Sequence, residues 1–117
     1  MKWFVLSMLL VFAGSAEGEF NSGNDLFTKL QGCEKYKRGD ESYGNYFDCG
    51  YSMGFIEGVS DTIEGTSLEK GICVQKGVTS GQLRDVAHLW LKNNPGKRSY
   101  SANSLVITAM RETWPCL

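Results

Sequence analysis

The stretch Thr79-Ser80-Gly81-Gln82-Leu83-Arg84-Asp85-Val86-Ala87-His88-Leu89-Trp90-Leu91-Lys92-Asn93-Asn94-Pro95-Gly96 contains a complete helix with both of its boundaries. Thr79 and Gln82 stand three residues apart ahead of an apolar run, the arrangement of a capping box in which hydroxyl and amide satisfy each other's free backbone N–H groups. Leu83, Val86, Ala87, Trp90 and Leu91 then share one face at helical spacing, which turns Arg84, Asp85, His88 and Lys92 outward. Asn93-Asn94-Pro95-Gly96 stops the helix, because proline cannot continue it and glycine favours the turn.

The same periodicity extends in both directions. A final helix is expected over 101–113, with Ala102, Leu105, Val106, Ala109 and Met110 as its stripe and Pro115 beyond its end. A short first helix over 24–31 carries Leu26, Phe27 and Leu30, and the longest, over 46–63, gathers Ser52, Phe55, Ile56, Val59 and Ile63. Val74 and Val78 flank a short connector, and no second alternating run exists to pair with it. The expected class is all-α: a compact single-domain bundle of about four helices.

Gly50, Gly54 and Gly58 recur every four residues in the longest helix and point away from its apolar stripe. Each interior glycine costs roughly 1 kcal/mol against alanine, so the run calls for something packed closely into a groove. Two occupants fit: another helix of the same chain, or a partner or dimer seam flanked by Phe47 and Tyr51.

With 117 residues, 42% of them apolar and 21% charged, the chain has room for one folded domain and none for a two-lobed cofactor fold. The formal charge of -1, with both signs interspersed, leaves no footprint for nucleic acid. Met1-Lys2, the apolar run Trp3 to Phe12 and Ala13-Gly14-Ser15-Ala16 form a secretory signal, so residues 1–16 are expected to be removed and 17–117 to fold. The run is about half the twenty residues that a membrane span needs, and no other segment approaches that length, so stable membrane insertion is not expected. Loss of Lys2 leaves 11 basic against 13 acidic side chains.

Export makes disulfides the reading for Cys33, Cys49, Cys73 and Cys116. Cys33 ends the first helix and Cys49 lies early in the second, so a helical hairpin brings them together. Cys73 precedes the third helix and Cys116 follows the fourth, which returns antiparallel to it. The expected pairs are therefore Cys33 with Cys49 and Cys73 with Cys116.

No catalytic set emerges. The only histidine, His88, has no free thiol or activated serine to serve, and no cysteine or histidine spacing suits a metal. Glu57 and Asp61 share a helix face, the ordinary pattern of a solvated surface. Glycine-rich phosphate loops are lacking, and no cofactor is expected. Tyr36-Lys37-Arg38 and Lys97-Arg98-Ser99-Tyr100 mix aromatic and basic character that suits contact with an acidic partner.

Gly54-Phe55-Ile56-Glu57-Gly58-Val59-Ser60-Asp61, Cys73, Gly77-Val78-Thr79-Ser80-Gly81-Gln82-Leu83, Asn94-Pro95, Leu105-Val106 and Trp114-Pro115-Cys116 form a series that resembles the Rap/Tai family of periplasmic type VI secretion immunity proteins. The resemblance covers nearly the whole chain from about Leu26 onward. It implies a periplasmic all-α protein, usually dimeric, that is not an enzyme and that neutralises a peptidoglycan amidase effector by plugging its cleft. A small periplasmic chaperone or stress protein of the same helical fold is the alternative. The contact surface is expected on the outward side of the third helix and the loop after it, at Arg84, His88, Leu89, Lys92, Asn94, Lys97, Arg98 and Tyr100.

Overall fold

The computed structural model of the chain describes residues 20–117, so the expected signal at 1–16 lies outside the described residues. Four helices run in the order α1 (Gly23–Lys37), α2 (Tyr43–Ile63), α3 (Ser80–Asn93) and α4 (Ala102–Thr113), with short 3-10 turns at Ser67–Glu69 and Pro95–Lys97. Among the described residues the only extended pairings are two isolated bridges, Ser22 with Ser101 and Ile72 with Pro115. The all-α class holds.

Local chemistry accounts for the helix starts. Thr79 accepts from the Gln82 N–H at 3.1 Å while the Gln82 side chain accepts from the Thr79 N–H at 2.7 Å, the full capping box. Ser22 and Asp25 form a second one at the start of α1. Those bonds, backbone first and hydroxyl second, hold the Asp25 carboxyl below its ordinary value.

The apolar stripes pack as the periodicity requires. Leu83, Ala87, Trp90 and Leu91 of α3 are buried with Ala102, Leu105, Val106, Ala109 and Met110 of α4, and Ile56 and Ile63 of α2 join them. Phe55, Val59 and Val86 are partly buried against the same core. The indole N–H of Trp90 donates to Glu112 at 2.6 Å and ties α3 to α4. Ser52 is fully buried, and its hydroxyl donates to the Asp48 carbonyl one turn back at 2.7 Å.

Helix α1 is longer than the sequence indicates, running six residues past Gln31. Gly32 had the look of a stop, yet it sits inside the helix because α2 crosses there. A Cβ on Gly32 would lie 2.8 Å from the Asp48 Cβ and 3.1 Å from the Asn45 carbonyl oxygen. A Cβ on Gly23 would meet the Arg98 carbonyl oxygen at 2.8 Å and the Arg98 Cα at 2.9 Å. At that end Asn24 N–H donates to the Arg98 carbonyl at 2.7 Å and Gly23 N–H to the Tyr100 carbonyl at 2.8 Å, stitching α1 to the α3–α4 connection.

Both disulfides join the expected partners, Cys33 with Cys49 and Cys73 with Cys116, and no described cysteine is free. The first fixes the α1–α2 hairpin. The second closes a 43-residue separation and is reinforced by the Cys73 N–H, which donates to the Trp114 carbonyl at 2.7 Å. The pairs suit an exported protein. No helix among the described residues is long and apolar enough to cross a membrane.

The glycine run of α2 behaves differently from the first expectation. A Cβ at Gly50, Gly54 or Gly58 would meet nothing within 4 Å. No helix among the described residues fills the groove; α4 reaches only its side, where Asn103 and Ile107 line the cleft that opens beside Gly54 and Gly58. The glycines that permit close packing within the chain are Gly23 and Gly32.

Candidate functional site

Helix α3 and the connection after it carry the eight residues singled out for partner contact, and the structure divides them. Leu89, Lys92, Lys97 and Tyr100 are exposed. Leu89 is the clearest, 59% exposed as a large apolar side chain on a helix whose core stripe lies on the other face.

The remaining four are engaged within the fold. Only 14% of the Arg84 side chain is accessible; it pairs with Asp85 at 3.1 Å and reaches the Met53 sulfur of α2 at 3.7 Å. The Asn94 side-chain amide donates to the Trp90 carbonyl at 2.8 Å and so caps the end of α3. Arg98 donates from Nε to the Leu91 carbonyl at 2.8 Å and holds its guanidinium 3.8 Å from the centre of the Phe27 ring. It clamps α1, α3 and the connection together, a structural role beside the partner contact expected of it. Long cationic side chains can bury their stems and satisfy their heads on carbonyls, which a helical pattern does not reveal.

His88 is likewise turned inward. Its imidazole is 14% accessible, stands 5.6 Å from the Phe27 ring and places Nδ1 3.5 Å from Glu34 Oε1. Burial lowers its affinity for a proton more than the nearby Glu34 carboxylate raises it, so its pKa falls below the ordinary histidine value. At neutral pH the side chain is a neutral imidazole packed between α1 and α3.

The extra turns of α1 complete a shallow cleft of about 250 Å³ beside α3, lined by Phe27, Gln31, Glu34, Arg38, His88, Leu89 and Lys92. Glu34 and Arg38 escape notice as surface partners of α3 because the sequence pattern ends the helix at Gln31. Continuing its i, i+3, i+4 series through Gly32 would have found them. Lys37 also reaches across to Asp85 at 3.7 Å, an exposed pair of little energetic weight.

Two further surfaces complete the inventory. The acidic pair Glu57 and Asp61 lines a polar cleft of about 270 Å³ with Ser60, Thr79 and Ser80, where no base and nucleophile are joined. On the other side of α2, an apolar groove of about 370 Å³ lies between Gly54, Phe55, Gly58, Val59, Thr62, Leu68 and Ile107. Among the described residues no group of three or more histidine, cysteine or carboxylate side chains is placed to hold a metal ion. The most exposed features are Leu89 beside Lys92 on α3, and an open aromatic and glycine face on α2.

A family model described as Rap1a immunity proteins matches residues 22–116, which is nearly all of the described chain. A comparison with curated proteins finds no match.

Proposed function

This chain belongs to the Rap1a immunity protein family, and from that premise we propose that it is a periplasmic type VI secretion immunity protein that blocks a peptidoglycan amidase effector. Residues 1–16 direct export, residues 17–117 fold in the oxidising periplasm, and the mature protein acts as a homodimer. It works by occupying the effector's cleft and catalyses nothing itself. The observation that carries this reading is the family match over residues 22–116.

The exposed chemistry supports a contact surface on α3. Leu89 supplies an apolar anchor and Lys92 a flanking charge, with Lys97 and Tyr100 on the adjoining turn. An anchor ringed by polar side chains is the usual composition of an interface hot spot. The fold holds these residues rigidly, through the α3 capping box at one end and the Asn94 and Arg98 bonds at the other. A preformed surface lowers the ordering cost of association.

The reading is tested in cells that direct the cognate amidase effector to their own periplasm. Co-production of this protein is expected to prevent lysis, and Leu89→Asp to abolish protection while the protein still accumulates. Lysis at an unchanged rate, with the folded wild-type protein present in the periplasm, refutes it.

A further inference from the structure

Among the described residues no helix covers the outward face of α2. Tyr43, Tyr46, Phe47 and Tyr51 lie along its N-terminal half with 39 to 81% of their surface exposed. The face is ordered: Tyr43 stacks on Phe47, Tyr46 lies against Tyr36, and the Tyr51 hydroxyl accepts from the Asn21 amide at 2.8 Å beneath the Lys29 ammonium. Gly50, Gly54 and Gly58 run through the centre, and the apolar groove with Phe55, Val59, Leu68 and Ile107 opens beside the C-terminal half.

The knobs and one wall of the hole therefore sit on α2, on either side of Gly54. Phe47 and Asp61 are both seven residues from Gly54, about 10 Å along the axis at 1.5 Å per residue. A two-fold axis perpendicular to α2 at Gly54 sets Phe47 of each copy level with Asp61 and Thr62 of the other. It also sets Tyr51 level with Glu57, one residue from Gly58 at the mouth of the groove. Such an interface is isologous and closes on itself.

Charge selects this antiparallel arrangement. Glu57, Asp61 and Glu64 occupy the C-terminal half, while the N-terminal half presents the phenols of Tyr43, Tyr46 and Tyr51. A parallel pair would stack carboxylates on carboxylates, and like charges across an interface are costly. The antiparallel pair puts phenol donors against carboxylate acceptors and holds the two Asp61 side chains roughly 20 Å apart along the axis.

The area approaches that of a stable interface. The four aromatic side chains hold about 500 Å² of exposed surface between them. A stable interface takes about 800 Å² from each partner, and Leu68 and the glycine-lined backbone extend the patch toward that figure. A largest patch on a lone soluble domain seldom exceeds roughly 600 Å² without a function.

We infer that this face of α2 is the seam of a homodimer, two copies crossing antiparallel at Gly54 with the aromatic knobs of each seated in the apolar groove of the other. The assignment rests on the homodimer reading above and names its surface. It leaves α3 and its exposed Leu89 free for the effector.

Light scattering on a sizing column tests it with the mature, oxidised protein. The wild type is expected at twice the chain mass. Gly54→Leu is expected at the mass of one chain with unchanged helicity, since a Cβ there meets no described atom of its own chain within 4 Å and the cleft beside it is open. Phe47→Asp, which sets a second carboxylate beside Asp61, is expected to weaken the dimer about 100-fold, whereas Phe47→Lys keeps it. A wild-type protein that remains monomeric at all concentrations overturns the homodimer reading and the seam with it. A dimer that persists in both Gly54→Leu and Phe47→Asp overturns the seam alone and places the interface elsewhere.

Discussion

Replacing Gly32 by alanine probes the closest packing in the fold. The new Cβ would lie 2.8 Å from the Asp48 Cβ and 3.1 Å from the Asn45 carbonyl oxygen, and neither atom can swing aside as the end of a long side chain would. The neighbouring Cys33–Cys49 bond keeps the two helices from moving apart. Alanine gains about 1 kcal/mol in helix propensity, while one excess methyl in a closed contact costs about 1–3 kcal/mol. Because backbone and a Cβ both oppose it under a covalent tether, the upper part of that range applies, and the net loss is about 2 kcal/mol. For a domain of this size that lowers the melting temperature by roughly 8–16 °C. Gly44→Ala is the control, a helical glycine with nothing within 4 Å, expected to hold the parent's stability or gain up to about 1 kcal/mol. Urea titration followed by far-UV circular dichroism, with slopes compared between variants, measures both. Equal midpoints for Gly32→Ala and the parent would refute the close-packing argument.

Reduction should melt the domain at markedly lower temperature, since the 16- and 43-residue separations correspond to about 3 and about 4 kcal/mol of loop closure; thermal scans with and without reductant read this, and unchanged melting refutes it. His88 has a lowered pKa in the fold, so the unfolded chain takes up its proton first as pH falls. Its contribution is complete above the ordinary value near 6.5 and is lost as pH drops through the lower folded value; denaturation midpoints against pH should fall there, less steeply in His88→Asn. Arg98→Ala removes a charged hydrogen bond and a contact with Phe27 and should destabilise by about 2–3 kcal/mol, whereas Lys97→Ala should change nothing. Equal unfolding midpoints for the two variants would return Arg98 to the surface.

Helix positions and cysteine pairing were legible because both follow from local rules. The Thr79–Gln82 box announces α3 four residues before its first core side chain, and the stripes of α3 and α4 are buried as spaced. Once the helices are placed, only Cys33 with Cys49 and Cys73 with Cys116 join neighbouring ends. Gly32 marks where local rules fail, for glycine signals a helix end by propensity, yet here it admits α2 and the helix continues. Periodicity located Gly50, Gly54 and Gly58 on one face, but a face does not disclose what covers it. His88, Arg84 and Arg98 escaped for a related reason. A polar residue off the apolar stripe defaults to solvent, and only the tertiary approach of α1 and α2 shows that Phe27, Glu34, Met53 and the Leu91 carbonyl enclose them.

Immunity of this kind is inhibition of an effector by a non-catalytic partner. Its most direct measurement is a titration of the purified mature protein into the cognate cell-wall amidase, with release of cleaved peptidoglycan as readout. A linear loss of activity that reaches completion near one chain per enzyme is expected, together with a complex on a sizing column and no peptidoglycan cleavage by the protein alone. Full amidase activity at molar excess, with no complex formed, would contradict it.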